Sequence, residues 1–242
     1  DAVVLVAPVV INANTATFAS TITGGTNTAL TITAGGGINL GGNVSTSGSQ
    51  TYNNDITLTN SLEMSSSAGS ITFNKKVLSQ ANQAYSLEVT AANQVTIGDS
   101  VGITVTTTGA ALPTTYALRD FIVTAPTIQI LADVLTRRDQ KFTGAVQIGD
   151  NGVKGALLAY YFYRLHQADP IKLLPVLVDE TKARTFISID PSIQFIGTVD
   201  DIVKNTHSLF AAAITHLAPG DTGFITPEII ITKEVGKINP FH

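Results

Sequence analysis

The chain has 242 residues, a length that fits one large all-β domain and is ample to bury a hydrophobic core. Hydrophobic residues make up 44% of the chain and charged residues only 13%, a composition that argues against intrinsic disorder. The net charge of −4 argues against nonspecific binding to nucleic acid, and the absence of cysteine excludes disulfides, thiolate zinc sites and cysteine nucleophiles.

The chain begins at Asp1, with no basic region before its first apolar run. No stretch reaches the roughly 18 consecutive apolar residues of a transmembrane helix. We therefore predict neither a membrane span nor an intact signal peptide. We expect either a processed protein or a fragment excised from a longer one.

The first third of the chain is almost free of charge. It contains no Lys or Arg before Lys75, and its acidic residues are Asp1, Asp55 and Glu63. Order in such a segment must come from backbone, hydroxyl and amide hydrogen bonds, and its Thr, Val and Ile favour extended backbone. Short strands separated by Gly- and Asn-rich turns indicate an all-β protein. The predicted strands are Ala2–Val6, Thr15–Ile22, Leu30–Thr33, Asp55–Leu58, Ser70–Phe73, Leu87–Thr90 and Gln94–Ile97.

Internal repeats are the most informative feature of the sequence. Ser70–Phe73 resembles Ser192–Phe195, and in both copies a second Ser lies 16 residues after the first. The match continues from Val95–Ile97 to Ile229–Ile231, and a weaker third copy begins at Thr17-Phe18.

A second unit recurs and locates an insertion. Gln50–Leu58 resembles Gln140–Ile148. However, Gln50 precedes Ser70 by 20 residues, whereas Gln140 precedes Ser192 by 52. The difference predicts an insertion of 32 residues, which we place at 151–182.

Tandem repeats whose strands are too short to bury a face alone are typical of a solenoid. We predict one domain over residues 1–242, a right-handed parallel β-helix interrupted by the partly helical insertion 151–182. Coils of about 20–25 residues, stacked about 4.8 Å apart, would give about ten coils and a rod of roughly 50 Å. The recurring Phe18, Phe73 and Phe195 predict an aromatic stack inside the rod. An antiparallel sandwich is the alternative, and it would need tight hairpins.

Three segments carry a resemblance to a known family: Gln50–Leu58, Gly69–Val77 and Ser86–Thr90. They are similar to the degenerate repeats of large bacterial surface adhesins of the filamentous haemagglutinin type. The resemblance covers roughly Thr15–Ile148 and Thr185–Ile231. It implies a β-helical stalk, exported by a bacterium and placed on or beyond the cell surface, and it transfers no functional residue.

The insertion carries the candidate binding residues Tyr160, Tyr161, Phe162 and Tyr163. Apolar residues at helical spacing, before Asp169-Pro170, predict a short helix packed on the outside of the rod. One interpretation is a satellite core that covers a flank of the solenoid. The other is an exposed aromatic patch for a glycan or a neighbouring subunit.

Adjacent acidic residues are the candidates for catalytic groups in this sequence. A glycosidase needs two carboxylates facing one cleft, whereas adjacent residues on a strand, such as Asp200 and Asp201, point to opposite faces. If the segment is helical instead, Asp200 is a suitable N-cap for a helix over Ile202–Ala213. We interpret Asp179-Glu180 and Arg137-Arg138 as solvated turn residues. We predict no catalytic residue.

No cofactor or metal site is predicted either. His166, His207, His216 and His242 are too scattered to form a ligand set, and Gly35–Gly37 lacks the Asp ligands of a calcium repeat.

These observations favour a non-enzymatic structural protein, the stalk or filament-forming segment of a secreted or surface adhesin. A glycan-binding module that uses the aromatic insertion is the alternative, and a β-helical polysaccharide-degrading enzyme comes third. The apolar first coil, Ala2–Ile11, and the last segment, Ile238–His242, predict ends that are continued head to tail. The expected partners are copies of the chain or flanking repeats of a longer chain and, for the glycan-binding alternative, host or matrix glycans.

Overall fold

The computed structural model describes residues 1–104, 114–152, 183–188, 193–196, 199–201, 208–213 and 229–231. Successive strands stack in parallel as a β-solenoid, so the predicted parallel β-helix is confirmed. Within the described ranges there is no α-helix, and the single helical turn is a 3₁₀ segment at Thr114–Tyr116. None of these residues belongs to a helix long and apolar enough to cross a membrane.

The strands form three ladders, one on each face of the coil. The first ladder contains β1 (Val3–Leu5), β4 (Ile22–Gly24), β7 (Val44–Thr46), β10 (Leu62–Ser66), β13 (Leu87–Ala91), the first halves of β15 (Phe121–Ile130) and β17 (Gln140–Ile148), β19 (Ile193–Ile196) and β22 (Ile229–Ile231). The second contains β2 (Val9–Ala13), β5 (Leu30–Ala34), β8 (Gln50–Tyr52), β11 (Ile71–Phe73), β14 (Gln94–Ile97), the second halves of β15 and β17, and β20 (Val199–Asp201). The third contains β3 (Ala16–Phe18), β6 (Ile38–Leu40), β9 (Ile56–Leu58), β12 (Val77–Ser79), a bridge at Val101, β16 (Val134–Thr136), β18 (Ala183–Ser188) and β21 (Ser208–Ala213).

The core lies on the axis shared by the three ladders. In a typical strand such as β11, Ile71 and Phe73 are fully buried while Thr72 between them is partly exposed. Three residues therefore bury only two side chains, too few to hold an isolated strand. Stacking aligns these side chains with those of the coils on either side, and the continuous apolar column from Leu5 to Val199 stabilises the strands that contribute to it.

Strand boundaries differ from the predicted ones because the strands are shorter than expected. The segment predicted as one strand, Thr15–Ile22, is two strands, β3 and β4, separated by a corner at 19–21. Several three-residue strands, including β6, β7, β8 and β12, were not predicted at all. Three residues give too few alternations for a periodicity argument to detect them.

Among the described residues the first ladder stacks nine strands and the other two stack eight positions each, so the rod has about eight coils rather than the predicted ten, or about 40 Å at the usual strand spacing. One cause lies on the third ladder. Val101 pairs with Val134 and Leu118 pairs with Thr136, so two residues 17 positions apart occupy the same level of this ladder. The residues between them add length to the chain without adding a coil.

In two coils a single strand, β15 or β17, continues from the first face to the second. The register between β15 and β17 shifts between Thr124 and Thr127, which marks a bulge at this corner. Opposite it, Gly144 has a φ of +143°. A Cβ at Gly144 would collide with the carbonyl oxygen of Ala125, so no other residue fits this corner.

The predicted single aromatic stack is wrong. Phe73 and Phe195 are both fully buried in the core, as predicted, but they lie on the second and first ladders respectively. Phe18 lies on the third ladder and is only partly buried. Equivalent-looking segments therefore reach the core from three different faces, because every face has the same alternation of inward and outward residues.

One flank of the rod carries a second apolar layer. On the third ladder Leu78, Leu135 and Ile187 are buried, although they occupy the outward position of their strands and lie outside the core cluster. Residues 153–182 of the predicted insertion lie outside the described residues. Its helix and its role as a satellite core therefore stay predictions.

Candidate functional site

The predicted binding residues Tyr160, Tyr161, Phe162 and Tyr163 lie outside the described residues. The same holds for Asp179, Glu180 and all four histidines. The glycan-binding interpretation therefore rests on the sequence alone. The described residues offer three other polar features: charged residues at the corners, rows of outward-facing residues on the ladders, and two corners that contain a buried glutamine.

Asp200 and Asp201 end strand β20, where the backbone pairs with β17. The alternative of a helix over Ile202–Ala213 is wrong for Ser208–Ala213, which forms β21 and pairs in parallel with β18. Residues 202–207 lie outside the described ranges. Pairing with an existing ladder outweighs the helix propensity of the alanines in this segment because it satisfies the backbone of both strands.

A carboxylate at the corner before the first face links three coils. Asp120 accepts a hydrogen bond from Ser86 Oγ at 2.7 Å and one from the Asp139 amide at 3.3 Å. It also forms ion pairs with Arg119 at 3.6 Å and Arg138 at 3.7 Å. These contacts join successive coils at one corner, which is a structural role.

The two arginines predicted as solvated turn residues differ from each other. Arg138 is half exposed and pairs with Asp120, so the prediction describes it well. Arg137 is partly buried, and its guanidinium donates a hydrogen bond to the carbonyl oxygen of Thr114 at 3.2 Å. Arg137 thus links the third ladder to the 3₁₀ segment that begins at Thr114.

A shallow groove of about 350 Å³ crosses the first face, and Glu63, Glu88 and Asp120 line it. Glu63 and Glu88 occupy paired positions on β10 and β13, so two like charges lie side by side. Asp120 is already held by its arginines. In the part of the chain that the structure describes, no three His, Asp or Glu residues are arranged to hold a metal ion.

Hydroxyl groups form rows on the outward side of two faces. Coils are linked along these rows without ions: Ser65 Oγ donates to Ser45 Oγ at 3.0 Å, and amides connect Gln94 to Gln129 and Gln129 to Gln147. The first-face row is Thr23, Ser45, Ser65, Thr90, Thr124 and Thr143, and the second-face row begins with Thr31, Thr51, Thr72 and Thr96.

A buried glutamine braces the corner between the first and second faces. The Gln50 amide donates to Thr46 Oγ1 at 3.1 Å and to the Ser65 carbonyl of the next coil at 2.6 Å. Its Oε1 accepts a hydrogen bond from the Tyr52 hydroxyl at 2.8 Å. Burial raises the pKa of the Tyr52 phenol, which keeps that donor protonated. All polar atoms of the two side chains are therefore satisfied inside the core.

The same arrangement recurs at a different corner, between the third and first faces. The Gln140 amide donates to Thr136 Oγ1 at 3.3 Å and to the Ile187 carbonyl of the next coil at 2.8 Å. Here the residue two positions on is Phe142, which has no hydroxyl. Among the described residues, the buried Gln140 Oε1 accordingly has no hydrogen-bond partner.

Aromatic stacking accompanies both glutamine corners. Tyr52 stacks on Phe73 of the next coil, with ring centroids 5.6 Å apart and planes at 17°. Phe142 stacks on Phe195 of its next coil at 5.3 Å and 17°. Phe186 packs edge-on against both rings of the second pair.

The sequence showed only half of this corner. The likeness of Gln50–Tyr52 to Gln140–Phe142 predicts equivalent strands but does not include the residues that precede each glutamine. Each Gln is preceded by Val six positions before it and by Thr four positions before it, and that Thr supplies the acceptor for the amide. The spacing Val-x-Thr-x-x-x-Gln-x-aromatic was the available signal.

Comparison with known proteins gives no match: no protein family, no curated protein and no solved structure matches the chain.

Proposed function

We propose that this chain is a non-enzymatic structural segment, the stalk or filament-forming part of a secreted or surface-bound bacterial adhesin. The observation that carries the proposal is the column of inward side chains shared by the three ladders. Most of the side-chain hydrogen bonds among the described residues join one coil to the next. Such hydrogen bonds stiffen a rod along its length.

The first coil supports continuation of the rod along its axis. Strands β1, β2 and β3 each pair with a strand on one side only. Beside this edge Val4 is 69% exposed and Val10 is 67% exposed. An open edge offers N–H and C=O groups to a further parallel strand, so it accepts another coil, supplied by flanking repeats or by a second copy of the chain.

Sedimentation of the 1–242 chain over a range of concentrations tests the filament form of this proposal. We expect the mean mass to rise with concentration, and the double variant Val4→Lys with Ile11→Lys to suppress the rise. The variant Thr51→Lys with Thr72→Lys is the matched control, because it adds the same charge to the outward row of the second face.

A mass that stays monomeric at all concentrations would reject self-assembly and leave the stalk form. Suppression by the control pair as well would show that charge in general, rather than the first coil, controls association.

A further inference from the structure

The two halves of the solenoid correspond strand by strand, with an offset in position around the axis. Eight consecutive strands from Val44 to Ile97 match eight consecutive strand positions from Val134 to Ile231 in order and in sequence pattern. Every strand of the second set lies on the ladder that precedes that of its counterpart. The matched pairs are β7 with β16, β8 and β9 with the two halves of β17, β10 with β18, β11 with β19, β12 with β20, β13 with β21, and β14 with β22.

The pairing registers agree with this correspondence. In the first set Ser45 pairs with Ser65, and in the second Leu135 pairs with Ile187 at the equivalent positions. The two buried glutamines donate to the carbonyls of Ser65 and Ile187 respectively. One alignment thus reproduces the backbone pairing and the side-chain hydrogen bond together.

We infer that 44–97 and 134–231 are two copies of one eight-strand unit, related by a rotation of one face about the solenoid axis. In the first copy three residues, Thr59–Ser61, join β9 to the next strand. In the second copy the equivalent connection is the 34 residues 149–182. The insertion therefore replaces an ordinary corner. This inference concerns how the rod is built and does not depend on the proposed function.

Equal spacing of the strands makes such a rotation possible. Core residues begin successive strands six positions apart in both copies, at Val44, Gln50 and Ile56 and at 134, 140 and 146. All three faces use the same alternation of inward and outward residues. A unit can therefore start on any face and still direct the same residues into the core.

Outward residues have diverged between the copies, whereas inward pairs such as Ile71 and Ile193, Phe73 and Phe195, and Val77 and Val199 are retained. Ser45 and Ser65 form a hydrogen-bonded pair on the first face, whereas their counterparts Leu135 and Ile187 are fully buried. At these two positions the second copy therefore has buried apolar residues where the first copy has hydroxyls. The two copies thus share the pattern of core residues and differ in their surface residues.

Two transplants of equal length test the inference in the full chain. Variant A replaces 134–142 with the sequence of 44–52, the proposed equivalent, whose strands lie on different faces. Variant B replaces 134–142 with the sequence of 38–46, which has the same strand spacing and comes from the same two faces. Both variants keep the buried Leu135 within the replaced segment and, outside it, Gly144. We expect variant A to unfold cooperatively at a denaturant midpoint close to that of the parent, and variant B to unfold at a much lower midpoint.

A midpoint of variant B equal to or above that of variant A would overturn the inference. It would mean that a segment is tolerated because it comes from the same faces of the rod, and not because it comes from the equivalent strands. If neither variant folds, single substitutions decide. Phe142→Tyr should raise the midpoint by supplying a donor to Gln140 Oε1, and Tyr52→Phe should lower it. A lowered midpoint for Phe142→Tyr would show that the two corners are not equivalent.

Discussion

Truncation of Phe73 or Phe195 to alanine is expected to lower the free energy of unfolding by about 3–5 kcal/mol, the usual cost of removing a buried aromatic side chain and leaving a cavity. Both rings are fully buried, and each stacks on an aromatic ring of the preceding coil. Each truncation therefore removes contacts within its own coil and contacts between coils. Chemical denaturation monitored by circular dichroism measures the effect.

Phe18→Ala is the matched control for these truncations. Phe18 is only partly buried and lies in the first coil, which has a neighbour on one side only. Its truncation should cost clearly less than the other two. Losses below about 1 kcal/mol for both Phe73→Ala and Phe195→Ala would contradict the interior assignment.

Gln50→Leu should cost about 2–5 kcal/mol even though it keeps most of the side-chain volume. The substitution removes the acceptor of the Tyr52 hydroxyl and the donor to the Ser65 carbonyl, both of which lie inside the core. Each buried polar group left unpaired costs about 1–3 kcal/mol. Equilibrium denaturation of the variant and the parent gives the difference.

Gln94→Leu provides the comparison for this prediction. Gln94 lies on the outward row of the second face and is partly exposed, so water replaces its hydrogen bonds to Thr96 and Gln129. A loss within about 0.5 kcal/mol is expected, as for other surface substitutions. Equal losses for Gln50→Leu and Gln94→Leu would show that the buried corner has no special role.

The class of fold could be predicted because composition and repetition limited the choice. A segment with no Lys or Arg before Lys75 and many Thr, Val and Ile residues has few ways to become ordered, and stacked short strands are one of them. The recurrence of Ser70–Phe73 at Ser192–Phe195 then favoured a solenoid. Both arguments use only residue type and spacing along the chain.

The face on which a repeat lies could not be predicted, because all three faces share one pattern. Gln50 and Gln140 make the same contacts at different corners, and Phe73 and Phe195 enter the core from different ladders. Nothing in the local sequence distinguishes these faces. The choice depends on how many residues separate each strand from the one below it.

The buried polar corners were missed for a different reason. A glutamine next to Thr or Lys in a polar segment predicts a surface position, and charge-free polar residues surround Gln50 in the sequence. Its burial becomes understandable only once Thr46 and the Ser65 carbonyl are near its amide. The acceptor in the next coil lies 15 residues away along the chain, beyond any local pattern.

A combined binding and turnover assay on the 1–242 chain tests the structural role most directly. The chain is applied to a glycan array and incubated with acidic polysaccharides, beside the variant Tyr161→Ala with Phe162→Ala. The proposed role predicts no saturable glycan binding and no polysaccharide turnover by either protein. Saturable binding that disappears in the double variant, or turnover of an acidic polysaccharide by the parent, would contradict it.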